Sequence, residues 1–228
     1  HEPDDFRPGN PPSHPELLQD LADELVASHY SLKHLFRLIL TSQVYQLSCV
    51  PGSDDPRAAA LFAHYPLRRL EAEVLIDALN DLTGTSESYS SAIPEPYTFI
   101  PADVRAVSLP DGSISSSFLE LFGRPARDSG LESERNNRIT AGQRLHLLNS
   151  SHVRRKLEQG PRLSALLRGP PAGMLDAIYL AVLSRHPTDD ERRLLRTSLK
   201  PAGGGGARTA ATDLVWALVN SDEFLHRH

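Results

Sequence analysis

Apolar residues recur every three to four positions along much of the chain, the spacing that places them on one face of an α-helix. The clearest case is 68–82, whose apolar residues share one face and which is followed by Gly84, a residue typical of helix ends. The stretches 13–28 and 31–44 show the same pattern and predict a helical hairpin. Further helices are predicted over 56–63, from 140 onward, and over 153–157, 161–168, 174–184, 188–200 and 209–224.

Residues that cap helix N-termini stand at several of these predicted starts. A Ser or Thr followed three positions later by Glu or Gln satisfies free backbone N–H groups in both directions. Ser31 is expected to cap the second helix of the hairpin, and the serines of 115–117 a helix beginning near Phe118. The reciprocal pattern, or capping box, is formed by Ser13 with Glu16, Thr140 with Gln143, and Thr188 with Glu191.

The stretch 85–117 interrupts the helical pattern. It is rich in Ser, Pro and Gly, and a loop of this length inside a domain is usually either functional or poorly ordered. Within it, 104–109 alternates enough to predict a short strand and 110–113 contains turn residues, so one small β-hairpin is expected there. The predicted fold class is therefore mainly α, a multi-helix bundle of about eight to ten short helices with a long irregular insertion.

The composition predicts a folded chain preceded by a linker. Of 228 residues, 39% are apolar and 23% are charged, which is sufficient for a sizeable core. The first residues, HEPDDFRPGNPP, are rich in proline and have little to bury, so 1–12 is predicted to be a linker from an upstream domain. The remainder, 13–228, is predicted to be a single helical domain, with Trp216 as a core anchor.

Several classes of function are disfavoured by the residues present. The formal net charge of −5 argues against a general nucleic-acid binder, and no apolar run is long enough to cross a bilayer. The single cysteine, Cys49, excludes an intramolecular disulfide and a C-x-x-C-H haem attachment within these residues. The histidine pairs 29/34 and 146/152 do not have the i, i+4 spacing of two metal ligands on one helical face. We therefore predict no metal site and no cofactor in this chain.

Catalytic signatures do not emerge from the sequence either. No nucleophile can be assigned together with a base and an orienting group, and no phosphate-binding glycine loop follows a predicted strand. The sequence therefore leaves enzymatic activity open.

The densest set of charged and amide side chains lies in 123–138, which we call the charged loop. Its four arginines and three acids give a local balance of 4 − 3 = +1. Arginine presents a planar fork that binds carboxylates, sulfates or phosphates through two hydrogen bonds. The candidate ligand-binding residues are Arg124, Arg127, Glu132, Glu134, Arg135, Asn136 and Arg138.

Two hypotheses follow for the charged loop, and the spacing of its residues does not separate them. In the first, its arginines bond nearby acids and helix carbonyls and tie helices together, as ion networks inside proteins usually do. In the second, several of them face a cleft and bind an anionic or polyhydroxylated ligand, such as an anionic polysaccharide.

Six segments, taken together and in order, resemble a known family. The family is the C-terminal domain of unknown function found in large secreted planctomycete-type proteins, which often carry a c-type cytochrome module and another uncharacterised domain upstream. The segments are NPPSHPELLQDLADELV (10–26), LKHLFRLILTSQVYQLS (32–48), RRLEAEVLIDAL (68–79), LELFGRPARDSGLESERNNRITAGQRLHLLNSSHVRRKL (119–157), YLAVLSRHPTDDERRLL (179–195) and DLVWALVNSDEFLHRH (213–228).

The resemblance implies a helical module of a larger exported, multidomain protein, with a periplasmic or extracellular location. It implies partners among the upstream domains of the same protein or in a partner protein, and haem only in an upstream module. We expect the module to be a non-catalytic binding or assembly domain. The alternative is a polysaccharide- or anion-binding site, or a catalytic one, built on the charged loop.

Overall fold

The structure is a computed structural model, and it describes residues 7–94, 97–100, 103–110, 112–125, 134–136, 138–169, 173–198 and 206–227. The chain divides into two compact units, the first over residues 1–68 and the second over 69–227. The predicted single domain over 13–228 stays a prediction, because two compact units can share one domain. The predicted linker over 1–12 likewise stays a prediction.

The first unit contains the predicted helical hairpin. Helix α1 spans Pro15–Ala27 and helix α2 spans Leu32–Leu40, and the two helices contact each other. Ser31 caps α2 as predicted, because its hydroxyl accepts a hydrogen bond from the backbone N–H of His34. Neither helix contains a buried residue, and across 7–68 the one buried residue is Ala58. Over its described residues, the first unit therefore lacks a buried core of its own.

Two expectations for the first unit were wrong. The capping box of Ser13 with Glu16 does not form, since the residue before α1 is His14 and its side chain makes no capping bond. Residues 56–62 form successive turns rather than a helix. Pro56 and the preceding acids are typical of helix starts, but Ala58 is the one buried residue of the short segment that follows, and an isolated turn of helix gains too little to persist.

Helix α3, Ala72–Thr83, forms the centre of the second unit. Leu75, Ile76 and Leu79 are fully buried, and α3 packs against three other helices and a 3₁₀ turn. It ends where predicted, since Gly84 adopts the left-handed conformation with φ of 74°. It begins later than predicted, because Arg68 and Arg69 form a short strand instead.

The other helices of the second unit surround α3. Phe118 and Phe122 stack with their ring centroids 4.2 Å apart and are among its most buried side chains. The predicted caps by Ser116 and by the capping boxes at Thr140 and Thr188 all form. The helices are α4 (Ser117–Leu121), α5 (Ala141–Asn149), α6 (Ser151–Gln159), α7 (Pro161–Leu166), α8 (Met174–Leu183), α9 (Asp189–Ser198), α10 (Gly206–Val219) and α11 (Asp222–Leu225).

Strand content is limited to two short pairings among the described residues. Strand β1 (Arg68–Arg69) pairs with β4 (His226–Arg227), and β2 (Ser90–Ser91) pairs antiparallel with β3 (Ile114–Ser115). The predicted hairpin over 104–113 was wrong, since Ala106–Ser108 form a 3₁₀ turn. The reason is Asp77, whose buried carboxylate accepts hydrogen bonds from the backbone N–H groups of Ala106 and Val107 at 2.8 and 3.2 Å.

The mainly α fold class is confirmed, since about 52% of the described residues are helical. The expectation that Trp216 anchors the core was wrong, because it is 37% exposed, whereas Val215 and Val219 of the same helix are fully buried. An indole on a helix that is apolar on several sides can lie at the edge of the core. Across the described residues, no helix is both long enough and apolar enough to span a bilayer.

Candidate functional site

Two arginines of the charged loop converge on Glu73 in the first turn of α3. Arg135 donates from both terminal nitrogens to the two carboxylate oxygens, at 2.9 and 3.0 Å, and Nε of Arg124 lies 3.4 Å from Oε1. The side chains of Arg124 and Glu73 are each only 9% exposed. Arg124 also donates to the carbonyl oxygen of Ile114 at 2.6 Å. We call these three residues, Glu73, Arg124 and Arg135, the arginine–glutamate cluster.

A backbone hydrogen bond joins the two ends of the charged loop near this cluster. The N–H of Asn136 donates to the carbonyl oxygen of Gly123 at 3.1 Å, so the two ends of the loop meet. Gly123 has φ of 98°, and a Cβ atom at this position would lie 2.1 Å from the carbonyl oxygen of Asn136. Only glycine fits this close approach, and it brings Arg135 next to α3.

The charge of Glu73 is fixed by this arrangement. Burial acts to raise the pKa of its carboxyl group, but the hydrogen bonds from Arg135 and the positive charges of Arg135 and Arg124 outweigh burial and lower the pKa below its usual value. A carboxylate held in this way is a poor general base. The geometry is that of a structural ion cluster joining the charged loop to the central helix.

The remaining candidate residues of the charged loop are dispersed. Glu134, Asn136 and Arg138 are exposed, and the side-chain oxygen of Asn136 accepts a hydrogen bond from the backbone N–H of Arg138 at 3.2 Å. The candidates Arg127 and Glu132 lie outside the described residues. A pocket of about 310 Å³ lies elsewhere in the second unit, and no described candidate residue lines it.

A second polar cluster, which the sequence did not predict, links α3, α6 and the segment after α3. Glu87 lies 2.9 Å from Nε2 of His152 and 3.1 Å from Nζ of Lys156. Nζ of Lys156 also donates to Oδ1 of Asn80 and to the carbonyl oxygen of Ser86, at 2.7 and 2.9 Å. The side chains of Glu87 and Lys156 are almost fully buried. A lysine buried this deeply is retained because each of its donors has an acceptor.

His146 extends this cluster toward the aromatic core. Its Nε2 lies 3.4 Å from Nδ1 of His152, and its ring meets the ring of Phe118 edge-on, with centroids 5.6 Å apart. Burial and the charge of His152 lower the pKa of His146, although Glu87 opposes them. For Glu87, burial acts to raise the pKa, but His152 and Lys156 outweigh it and lower the pKa. We call Glu87, His146, His152 and Lys156 the histidine–lysine cluster.

The i, i+4 test on the histidine pair failed to find this cluster because it considers only two residues on one helix, whereas His146 lies on α5 and His152 on α6. Ser150 ends α5 and caps α6, so the chain turns between His146 and His152 and brings their rings together. The cap at Ser150 was the signal that could have revealed the contact. Within the described part of the chain, no group of three or more His, Cys, Asp or Glu side chains is arranged to hold a metal ion.

Comparison with known proteins identifies a family. A family model described as PSD1, a protein of unknown function (DUF1553), matches residues 1–199. The chain belongs to the PSD1 family. The match includes the whole first unit and the second unit through α9, together with both polar clusters.

The PSD1 match agrees with the resemblance inferred from the sequence at the level of a domain of unknown function. The association with planctomycete-type secreted proteins and with a cytochrome module stays a prediction. No curated protein and no solved structure matches the chain.

Proposed function

We propose that this PSD1 chain is a non-catalytic assembly module of a larger exported protein, and that its helical hairpin docks onto another protein surface. The observation that supports the proposal is the lack of a buried core in the first unit. A helical hairpin that exposes its apolar residues gains little free energy from folding alone, because burial of apolar surface is the main stabilising contribution. Covering this surface stabilises the hairpin and the assembly together.

The exposed surface follows one stripe of α2. Leu32, Phe36 and Leu40 are spaced by four residues and are 60%, 62% and 48% exposed. Leu35 and Ile39, on a neighbouring face of the helix, are partly buried. A stripe of large apolar residues at i, i+4 and i+8 is the pattern by which an amphipathic helix binds an apolar groove.

The occupant we propose is an upstream domain of the same polypeptide, in a periplasmic or extracellular protein. The linker predicted over 1–12 would hold such a domain close to the hairpin. A short tether raises the effective concentration of the two surfaces to the order of millimolar, so even a modest apolar contact would be formed. An upstream cytochrome module would fit this place, as the family resemblance implies.

The alternative, an anionic polysaccharide site on the charged loop, is less well supported. The side chains of Arg124 and Arg135 bind Glu73. Among the described candidate residues of the charged loop, only Asn136 and Arg138 are both exposed and able to donate hydrogen bonds to an anionic ligand. Two exposed side chains give weak recognition of a polyanion, since exposed charge pairs contribute little.

A comparison of Phe36→Ser in two contexts tests the assembly proposal. In the 228-residue chain, the substitution should change the free energy of unfolding by less than about 0.5 kcal/mol, because the ring is exposed. In a polypeptide that carries the proposed upstream domain, it should cost about 3 kcal/mol, because the ring is then covered. Lys33→Ser, on the exposed polar side of the same helix, is the matched control and should be near neutral in both.

Equal effects of Phe36→Ser in the two contexts would contradict the proposal. A cost of several kcal/mol in the 228-residue chain that grows with protein concentration would also contradict it, because the surface would then be covered by a second copy. Urea unfolding at two protein concentrations separates these outcomes.

A further inference from the structure

The pocket of about 310 Å³ contains an unusual cation. Arg69 lies in its wall, half-buried, and has no carboxylate partner among the described residues. Burial lowers the pKa of its guanidinium group. Since a desolvated charge without a counter-ion is costly, Arg69 is placed where an anion would be bound favourably.

The hydrogen bonds of Arg69 leave its Nε without an acceptor among the residues that the structure describes. One terminal nitrogen donates to Oε1 of Gln143, and the other donates to the carbonyl oxygen of Phe122 at 3.0 Å. Nε is buried and has no hydrogen-bond partner within the part of the chain that the structure describes. A buried N–H without an acceptor is rare in folded proteins, so the guanidinium group of Arg69 is incompletely satisfied by its described protein contacts.

Arg69 is also held in position before any ligand binds. Gln143 is 3% exposed, donates to the carbonyl oxygen of Leu121 at 2.8 Å, and accepts from the backbone N–H of Thr140 at 3.1 Å. The guanidinium carbon of Arg69 lies 5.8 Å from the centroid of the Phe122 ring. Because these contacts fix the guanidinium group of Arg69, binding of a ligand would require little further ordering of this side chain.

The rest of the pocket wall divides into a basic and an apolar part. Arg144 and His226 add basic side chains to the wall, and the one described acid that also lines it, Asp222, has a fully exposed side chain. The apolar part consists of Leu75, Ile139, Leu147, Leu148 and Leu225. This combination favours a ligand with a negatively charged head and an apolar body.

We propose that this pocket binds a small organic carboxylate, with the carboxylate on Arg69 and the apolar body against the leucines of α5. The site lies within the second unit and uses none of the hairpin residues on which the assembly proposal rests. The two proposals can therefore fail separately.

Titration of the 228-residue chain with benzoate, followed by the Nε–H resonance of Arg69 in ¹H–¹⁵N spectra, tests the proposal. We expect saturable shifts with a dissociation constant on the order of 1 mM, the range set by so few ligand atoms. Benzamide has the same shape without the charge, and inorganic phosphate has the charge without the apolar body. Each should bind at least about tenfold more weakly, since it lacks one of the two recognised features.

Two variants and a control localise the site. Binding to the variants is followed by the backbone amide resonances of α5, which both variants retain. Arg69→Gln should abolish benzoate binding. Leu148→Trp, which fills the pocket without altering Arg69, should do the same while the spectrum stays that of a folded chain. Arg138→Gln removes an exposed arginine outside the pocket and should leave binding unchanged. Absence of a saturable shift, equal binding of benzamide or phosphate, or unchanged binding by folded Leu148→Trp would overturn the proposal.

Discussion

Arg135 donates two hydrogen bonds to the carboxylate of Glu73, at 2.9 and 3.0 Å, although 62 residues separate the two in the sequence. The pair joins the charged loop to the first turn of the central helix of the second unit. Because the Glu73 side chain is 9% exposed and Arg124 also lies beside it, this contact is shielded from the solvent that weakens surface ion pairs.

Removing the negative charge of Glu73 should destabilise the second unit. In Glu73→Gln, Arg124 and Arg135 are left beside a neutral amide, and removing one partner of a buried ion pair costs about 3 kcal/mol. Urea unfolding followed by circular dichroism measures this cost. Glu120→Gln, which removes an exposed acid from α4, should stay within about 0.5 kcal/mol of the unaltered chain. Similar values for the two variants would refute the structural role of the cluster.

A methyl group at Gly160 should separate α7 from α3. A Cβ atom there would lie 2.5 Å from the carbonyl oxygen of Thr83 and 2.6 Å from that of Lys156, so backbone would have to move. We expect Gly160→Ala to cost about 1–3 kcal/mol. Gly142→Ala is the matched substitution, because its Cβ would meet no atom closer than 3.7 Å inside helix α5, and it should stabilise by about 0.5–1 kcal/mol. Thermal melts of both variants would show shifts of opposite sign, and a Gly160→Ala melt at or above that of the unaltered chain would count against the packing.

The carboxylate of Asp77 should account for the 3₁₀ turn at Ala106–Ser108. Asp77→Ala leaves the buried backbone N–H of Ala106 and the neighbouring N–H of Val107 without their acceptor, which should cost about 2 kcal/mol. Asp81→Ala, one turn later on α3, removes only an exposed pair with Arg105 and should cost less than about 1 kcal/mol. Urea unfolding of the two variants measures this difference, and equal losses would mean that Asp77 does not hold the turn.

The histidine–lysine cluster should make stability depend on pH. Since the pKa of His146 is lowered in the folded chain, the unfolded chain binds a proton more readily, and stability present above about pH 6.5 is lost as the pH falls. The lowered pKa of Glu87 adds a second loss at more acidic pH, below its unfolded value of about 4.3.

The measurement for this prediction is the free energy of unfolding at pH 7.0, 6.0 and 5.0. His146→Gln should fall less steeply than the unaltered chain over this interval, because it removes the titrating ring. His29→Asn, at an exposed histidine with φ of 56°, is the control and should keep the original slope. An unchanged slope for His146→Gln would show that His146 does not contribute.

Local signals in the sequence predicted the helix ends better than the contacts between helices. The caps at Thr140 and Thr188 and the end of α3 at Gly84 were correct, because each depends on residues within one turn. The partner of the charged-loop arginines was not predicted, because Glu73 is distant in sequence. The acids within the charged loop were the nearer partners by sequence. Periodicity likewise identified the hairpin helices but gave no measure of whether their apolar residues would be covered.

Residue-resolved hydrogen exchange of the 228-residue chain tests the central claim most directly, namely that the second unit has its own buried core and the first unit does not. We predict that amides of α3 are the most protected and that those of α1 and α2 exchange at least about a thousandfold faster, because only global unfolding exposes the former. Protection of α1 and α2 equal to that of α3 would contradict the account.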